Sequence, residues 1–500
     1  MRTRLHRWMT YAMVLGLLAS PWASSPFVGA AHGATPEKLG YLVSQDQFVA
    51  GVEGAAINLS LAVSTDASSP PTSIVVTAHR TVDERDAVEA AIAGDLPPIV
   101  DSLRFPVGAI PSTGLVELSV PIEIGTRGPE RLQMSATGIY PLTISFEVDS
   151  TVVDRLVTFV ERLPDGATSP EIEDPLPVAI VGSVDGKVTL RPDSTTAVDA
   201  GDRSAVSDLL DAIDSLPGTP LNLALRPELV EGLTRSSAED ADLHNRLQFA
   251  DSLSLLSTPY VHIEPGESAD SDIADIFTGQ LRRGEDALSG SLPLAVPRRT
   301  AWIQNESLSA TGAQFIRDLG FRSLLLTPSA LTTDEFGSGA FADPTRLIDV
   351  DLGNSGSIPA IIADPALAAI LTTASDGPAS DVYLAAQHVL AEIKVLRRRI
   401  TTDEGAVRGR AVVLTTDDGS LMSTDLLVAL AATGLHAQNV NVSSKLVAYP
   451  DLIVHNAKIV SMDDHSLNNS FGKTYQAMAV RRSEEHTSEL QSRQYLVCRL

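Results

Sequence analysis

Side chains that could carry out acid–base chemistry follow short apolar runs between residues 178 and 418. If these runs are parallel strands, their carboxyl ends meet on one face, which is where the active sites of parallel barrels lie. Two carboxylates on that face could hydrolyse a glycosidic bond. The candidate catalytic residues are Asp185, Glu228, His262, Glu264, Glu306, Asp364 and Asp417, with Arg226, Gln304 and Asp418 beside them.

These residues also have plainer interpretations. Strands end at the surface, so the same polar groups could form a solvated rim. His262 lies between Val261 and Ile263 and could be a base or a structural histidine. Trp302 favours a structural role, because aromatic residues make up only 5% of the chain and a long sugar groove would need several stacking rings.

Metal-dependent chemistry finds little support in the sequence. The string at residues 415–419, TTDDG, resembles the Asp-Asp motif of polysaccharide deacetylases, whose metal also needs two histidines at H-x-x-x-H spacing. The chain has neither that pair nor an H-x-H pair, and its one cysteine is Cys498. The sequence therefore predicts no metal and no cofactor. The simpler interpretation of residues 417–419 is an Asp-Asp-Gly turn that caps a helix at Met422–Ala432.

The elements that would position these residues alternate between strand and helix, which favours a parallel sheet. Amphipathic helices are predicted at 203–216, 238–256, 271–283, 309–319 and 383–399. About seven strand–helix units predict an α/β barrel-like domain over 178–435, with a flat doubly wound sheet as the alternative. The strands are predicted at 178–184, 221–227, 259–265, 300–304, 323–328, 360–364 and 410–416.

The preceding part of the chain has a different pattern of apolar and polar residues. Residues 36–163 contain short alternating runs rich in Val, Ile, Leu and Thr, separated by turn residues, with one helix predicted at 83–93. This spacing predicts an immunoglobulin-like β-sandwich. Residues 164–177 read PDGATSPEIEDPLP and are predicted to form a proline-rich linker between the two domains.

The N-terminus and the overall charge indicate the compartment. Three arginines precede an apolar stretch at 9–19, and small residues follow, so residues 1–33 read as a signal peptide. We therefore expect an exported protein of the cell envelope or a secreted one. A net charge of −26 argues against nucleic acid as a partner, because phosphates demand a basic surface.

The end of the chain departs from the rest. Residues 451–481 resemble the opening strands of metal-dependent amidohydrolases, but the metal-binding motif of that family is absent. Residues 482–500 read like a translated sequencing adapter. We therefore interpret 436–481 as a chimeric segment, with a genuine hairpin as the alternative. A membrane anchor is absent from this chain and could have been lost with the natural C-terminus.

Four strings of the main body are informative: GIYPL at 138–142, VDRLVTFVERL at 153–163, LALRPEL at 223–229 and the stretch 299–331. Through these strings, residues 36–435 resemble a family of uncharacterised actinobacterial envelope proteins encoded near a lipid II flippase. The resemblance implies a role in cell-wall or glycolipid assembly, with wall glycan or envelope proteins as partners. The alternatives are a carbohydrate-active hydrolase or esterase, and an amidohydrolase fragment that lacks its metal site.

Overall fold

The computed structural model describes residues 38–435, except 47, 51–55, 65–69, 109, 111–113, 124–129, 165–175, 251–252, 332–342, 406, 408 and 434. It also describes the strands 452–460 and 474–480. The predicted signal peptide 1–33, most of the linker 164–177 and the tail 482–500 lie outside the described residues. None of the helices described is both long enough and apolar enough to span a bilayer.

Residues 39–163, here called the β-sheet region, form two sheets around one core. One sheet has the order β1-β3-β6-β7 and the other β2-β9-β8-β4-β5. The predicted strands and the predicted helix are confirmed here. The elements are β1 (Gly40–Gln45), β2 (Val49–Ala50), β3 (Ala56–Val63), β4 (Ser73–His79), α1 (Arg85–Ile92), β5 (Ile99–Pro106), β6 (Leu115–Glu123), β7 (Leu132–Gln133), β8 (Gly138–Val148) and β9 (Thr151–Arg162).

The core of this region is built by alternating side chains from both sheets. Leu59 and Leu61 of β3, Val76 of β4 and Ile144 of β8 are all fully buried in it. Gly40 permits a close approach between the sheets, because a Cβ atom there would overlap the ring of Phe146. Alternation of period two therefore places one apolar face of each sheet inward.

Residues 176–435, here called the α/β region, alternate strands with helices. The strands are β10 (Val178–Val184), β11 (Val188–Leu190), β12 (Thr196–Val198), β13 (Leu221–Leu225), β14 (Leu253–Leu255), β15 (Trp302–Gln304), β16 (Leu324–Leu326), β17 (Ile348–Asp351), β18 (Ser357–Ile362) and β19 (Val412–Leu414). The helices are α2 (Ala200–Ser215), α3 (Pro227–Leu233), α4 (Ala238–Gln248), α5 (Pro265–Asp270), α6 (Ala274–Ser291), α7 (Ala310–Asp318), α8 (Pro365–Asp376), α9 (Ala379–Glu404) and α10 (Thr424–Ala432), with 3-10 turns at Pro328–Ala330 and Gly353–Ser355.

Two four-stranded sheets organise this region. The first has the order β14-β13-β10-β19 and is entirely parallel, whereas the second, β15-β16-β18-β17, has one antiparallel edge strand, β17. Isolated bridges join their edges, Leu256 to Arg298 on one side and Arg346 to Arg410 on the other. One buried cluster draws on both sheets: Ala179, Val181, Leu256, Ala301, Leu325, Ile361 and Val413.

Six of the seven predicted strands of the α/β region are confirmed, and the one at 259–265 is wrong. The third parallel strand is β14, six residues earlier, in a stretch predicted to be helical. Helix α4 ends at Gln248, so the buried leucines at 253 and 255 are free to enter the sheet. Residues 259–264 form an irregular segment, and Pro265 occupies the first turn of α5, where its missing N–H costs nothing.

The turn predicted at 417–419 is confirmed, but it does not cap the helix that follows. Ser423 is the N-cap of α10, and its side chain accepts a hydrogen bond from the backbone N–H of Leu426. A serine hydroxyl is a favoured group at this position. Farther along, β20 (Leu452–Val460) and β21 (Thr474–Val480) pair as an antiparallel hairpin.

Helix α9 joins the two regions. The Tyr383 hydroxyl accepts a hydrogen bond from the backbone N–H of Gln45 and donates one to its carbonyl, at 3.0 and 2.9 Å. His388 Nε2 lies 2.7 Å from the carbonyl oxygen of Val157, and Lys394 forms an ion pair with Glu161 at 3.0 Å. Polar contacts thus fix this helix against β1 and β9.

Candidate functional site

A small cleft opens at the carboxyl ends of β10, β13, β14 and β15. The space between the groups that line it, with the adjoining open solvent included, amounts to about 550 Å³. Parallel strands bring the residues that follow them to one edge, so segments distant in sequence meet here. The polar side chains lining the cleft belong to Ser183, Asp185, Arg226, Ser257, Thr258, His262, Glu264, Trp302 and Asn305.

Arg226 lies at the centre of the cleft wall. It directly follows β13 and precedes Pro227, the first residue of α3, so its side chain lies at the edge of the sheet. Its Nε donates to the Asp185 carboxylate at 2.5 Å, and Nη1 donates to Thr258 Oγ1 and to the carbonyl of Pro259 at 3.2 and 3.1 Å. With only 9% of its side chain exposed, Arg226 organises three segments of chain.

The contact between Arg226 and His262 fixes the tautomer of the imidazole. Nη2 of Arg226 lies 3.2 Å from Nδ1 of His262. A guanidinium can only donate, so Nδ1 must accept and carry no hydrogen. The hydrogen of the neutral ring is then on Nε2, which lies 3.3 Å from Oε1 of Glu264. His262 therefore connects the buried arginine to the carboxyl group of Glu264.

Glu264 occupies the most protected position among the acids of the cleft. Only 15% of its side chain is exposed, and burial raises its pKa above the ordinary value, against the opposing effects of His262 and of a hydrogen bond from Gln304. Gln304 Nε2 lies 3.4 Å from Oε2, and the indole Nε1 of Trp302 donates to Gln304 Oε1 at 2.8 Å. Trp302 thereby orients the amide that faces Glu264.

Asp185 has the opposite environment. Half of its side chain is exposed, and it is paired with Arg226. Its second oxygen lies 3.9 Å from Nδ1 of His262, so one imidazole separates it from Glu264. Two carboxyl groups in contrasting surroundings can play different roles, one as a proton donor and one as an anion.

The remaining candidate residues do not line the cleft. Glu228 sits in the first turn of α3, half-buried, and burial raises its pKa. Glu306 is exposed, and its carbonyl oxygen accepts a hydrogen bond from Gln304. Asp417 follows β19, where burial raises its pKa, and its backbone N–H donates to Thr372 Oγ1 at 2.8 Å. The neighbouring Asp418 bonds within its own turn, to Thr416 and Ser420.

Asp364 has a structural position instead of a place in the cleft. Its Oδ1 accepts hydrogen bonds from the backbone N–H groups of Ala366 and Leu367 and so caps α8. Both of its oxygens also pair with Arg85 of the β-sheet region. Only 3% of the side chain is exposed. The strand-end rule therefore located Asp364 correctly at a strand terminus but assigned it the wrong neighbours.

Sequence reasoning missed Ser257 and Thr258 because it placed the third strand too late. Once β14 is recognised at 253–255, both residues follow it after Leu256, and the small polar pair before Pro259 is the signal that could have revealed them. Among the described residues, no group of three or more histidine, cysteine, aspartate or glutamate side chains is arranged to hold a metal ion.

Comparison with known proteins leaves the family open, because neither a family model nor a curated protein matches the chain. Among solved structures, it is similar to the 4-alpha-glucanotransferase from Thermococcus litoralis, with a TM-score of 0.35 and 11% identity over 54% of this chain and 38% of that one. It is also similar to a family 39 glycoside hydrolase from the gut symbiont Bacteroides cellulosilyticus WH2, with a TM-score of 0.25 and 11% identity over 80% and 83%.

A glycosyl hydrolase family 2 member from Bacteroides cellulosilyticus DSM 14838 matches with a TM-score of 0.18 and 11% identity, over 58% of this chain and 36% of that one. The chain thus spans well under half the length of the glucanotransferase and of this hydrolase. Likeness at these TM-scores carries no argument about function.

Proposed function

We propose that this protein is an exported cell-envelope protein whose α/β region binds a glycan in the cleft between Asp185 and Glu264. The observation that carries the proposal is the convergence of Asp185, Arg226, His262 and Glu264 from three separate segments of chain. Carboxylate and imidazole groups at a solvent-open edge can accept and donate hydrogen bonds to sugar hydroxyls.

The proposed fold supports this placement. The bridges between the sheet edges and the shared interior cluster are what a closed, barrel-like α/β layer requires, and the two sheets of the β-sheet region suit an immunoglobulin-like sandwich. In such a layer, the carboxyl ends of the strands form the binding face. The predicted signal peptide would deliver the protein to envelope glycans.

Calorimetric titration with soluble muropeptides tests the binding proposal. We expect saturable binding that Glu264→Gln weakens at least about tenfold, which corresponds to about 1.4 kcal/mol. Glu267→Gln is the matched control, because Glu267 lies three residues away, is exposed and does not line the cleft. Absence of binding by the unmodified protein, or equal weakening by both substitutions, would contradict the proposal.

A second candidate function is hydrolysis of the glycan. It is favoured by the contrast between the buried Glu264, whose pKa is raised, and the exposed Asp185. Glu264 would protonate the leaving oxygen and Asp185 would act as the base. Activity would then fall as the pH rises through the pKa of Glu264, because the donor loses its proton.

Release of reducing ends from muropeptides distinguishes the two functions. Turnover that disappears in both Glu264→Gln and Asp185→Asn supports hydrolysis. Binding without turnover supports recognition alone. For residues 451–481, the structure describes only the paired strands β20 and β21. This pairing offers no catalytic site that would support the amidohydrolase interpretation.

A further inference from the structure

A buried cluster of three charged side chains lies where the β-sheet region meets the α/β region. Arg85, in the first turn of α1, forms a two-pronged ion pair with Asp364, at 2.5 and 2.9 Å. Its Nε also donates to Glu392 of α9 at 2.7 Å. Exposed fractions of 15%, 3% and 0% for Arg85, Asp364 and Glu392 show that water barely reaches the cluster.

The cluster holds more negative than positive charge when every group is ionised. Asp364 is fully engaged, by the guanidinium and by two N–H groups at the start of α8. Glu392 has one donor on Oε2, and its buried Oε1 has no hydrogen-bond partner among the described residues. A buried carboxylate with a hydrogen-bond donor on only one oxygen is energetically unfavourable. Protonation of Glu392 removes the excess negative charge of the cluster.

The acidic neighbours of Glu392 also favour its protonated form. Burial is the largest cause that raises the pKa of Glu392 to about 7, Arg85 opposes it, and Glu89 and Asp364 add to it. Glu89 belongs to α1 and Asp364 precedes α8. Among the basic groups of α9, His388 and Lys394 contact β9, and Arg398 pairs with the exposed Asp83 before α1 at 3.7 Å.

We propose that Arg85, Asp364 and Glu392 form a pH-dependent latch, which holds the β-sheet region on the α/β region while Glu392 is protonated and loosens when Glu392 ionises. The latch is independent of any ligand in the cleft. It would make the relative mobility of the two regions respond to pH changes near neutrality.

The sign of the effect follows from proton linkage. An acid whose pKa is higher in the folded protein than its ordinary value of 4.5 favours the folded junction when protonated. That contribution is complete below about pH 4.5 and is lost as the pH rises through about 7. Above that range, the junction carries an additional buried charge.

Hydrogen–deuterium exchange of the full chain, corrected for intrinsic exchange rates, tests the latch at pH 6, 7 and 8. We expect the protection of the α1 backbone amides to fall about tenfold between pH 6 and pH 8. This is the change that the loss of one proton from Glu392 produces when its pKa is about 7. Glu392→Gln, which mimics the protonated acid, should keep the protection at its pH 6 level. Asp83→Asn is the control, because it removes an exposed junction pair with Arg398 and should leave the pH dependence unchanged.

Two outcomes would overturn the latch. Protection of α1 that is flat from pH 6 to 8 in the unmodified protein would do so even if Glu392→Gln did not fold. A pH dependence that persists unchanged in Glu392→Gln would assign the titration to another group.

Discussion

Arg226 is the residue on which the geometry of the cleft depends. Its donors hold the Asp185 carboxylate after β10 and three groups of the segment after β14, namely Thr258, the carbonyl of Pro259 and the ring of His262. A lysine could not reproduce this pattern, because its ammonium is a point charge without the planar fork of a guanidinium. The carbonyl of Pro259 and the carboxylate of Asp185 therefore both depend on Arg226 as a hydrogen-bond donor.

Replacement of Arg226 by lysine should therefore destabilise the protein by about 1–3 kcal/mol, the cost of leaving buried polar groups without donors. The matched control is Arg235→Lys, at an exposed pair with Glu231 on α3, where we expect a change below about 0.5 kcal/mol. Urea denaturation measures both. Equal effects of the two substitutions would show that Arg226 does not organise the cleft.

At this scale, the sequence predicted the residue types of the cleft but not their contacts. Asp185, His262 and Glu264 were predicted together because each follows an apolar run. Asp364 shares that property and lies elsewhere, since contact with Arg85 depends on a region more than 270 positions away in the chain. Spacing along one strand cannot reveal which distant element will cover its end.

Helix α6 shows how an element positions the cleft from behind. Gly284 faces the segment that carries Thr258 and Tyr260, and a Cβ atom there would overlap the carbonyl oxygen of Thr258. The guanidinium of Arg283 also stacks on the Tyr260 ring, 3.6 Å from its centroid. Close approach of this helix therefore presses the irregular segment against the strands.

A methyl group at position 284 should disturb that packing. We expect Gly284→Ala to cost about 1–3 kcal/mol, as overpacking usually does. Gly279→Ala, in the same helix at an exposed position with no atom near the added Cβ, should stabilise by about 0.5–1 kcal/mol through helix propensity. Thermal or urea unfolding compares them, and a stabilising Gly284→Ala would contradict the packing argument.

Most elements of the α/β region were predictable from periodicity, and β14 shows why some were not. Its three residues are too few to express an alternating pattern, and the helical pattern of α4 runs into them. The strand was instead predicted at 259–265, the apolar stretch bounded by Pro259 and Pro265, which is the wrong place. Short parallel strands owe their conformation to their neighbours in the sheet more than to local preference.

On the scale of the whole molecule, the two regions meet along helix α9 and share one apolar cluster, to which the β-sheet region contributes Val88, Val157 and Phe159. The tyrosine, histidine and lysine of α9 bind the β-sheet region, while its apolar side, including Val389 and Leu396, packs in the shared cluster. The sequence predicted this helix and both regions, but not the junction. A buried ion pair or hydrogen bond between two regions produces no periodic sequence pattern in either region, so the sequence alone does not predict it.

The central claim is that the cleft between Asp185 and Glu264 binds a glycan. Trp302 lines that cleft, and the chain contains only two other tryptophans, Trp8 and Trp22, in the predicted signal peptide. Replacement of those two by phenylalanine leaves a full chain with one fluorescent reporter at the site. Titration of this protein with muropeptides then measures binding where it is proposed to occur.

The account predicts a saturable change in Trp302 fluorescence, lost in Glu264→Gln and retained in Glu267→Gln. Trp302 donates a hydrogen bond to Gln304, which in turn faces Glu264, so a ligand at this carboxyl group should alter the environment of the indole. Fluorescence that stays constant while calorimetry detects binding would place the glycan elsewhere on the molecule and contradict the assignment of the cleft.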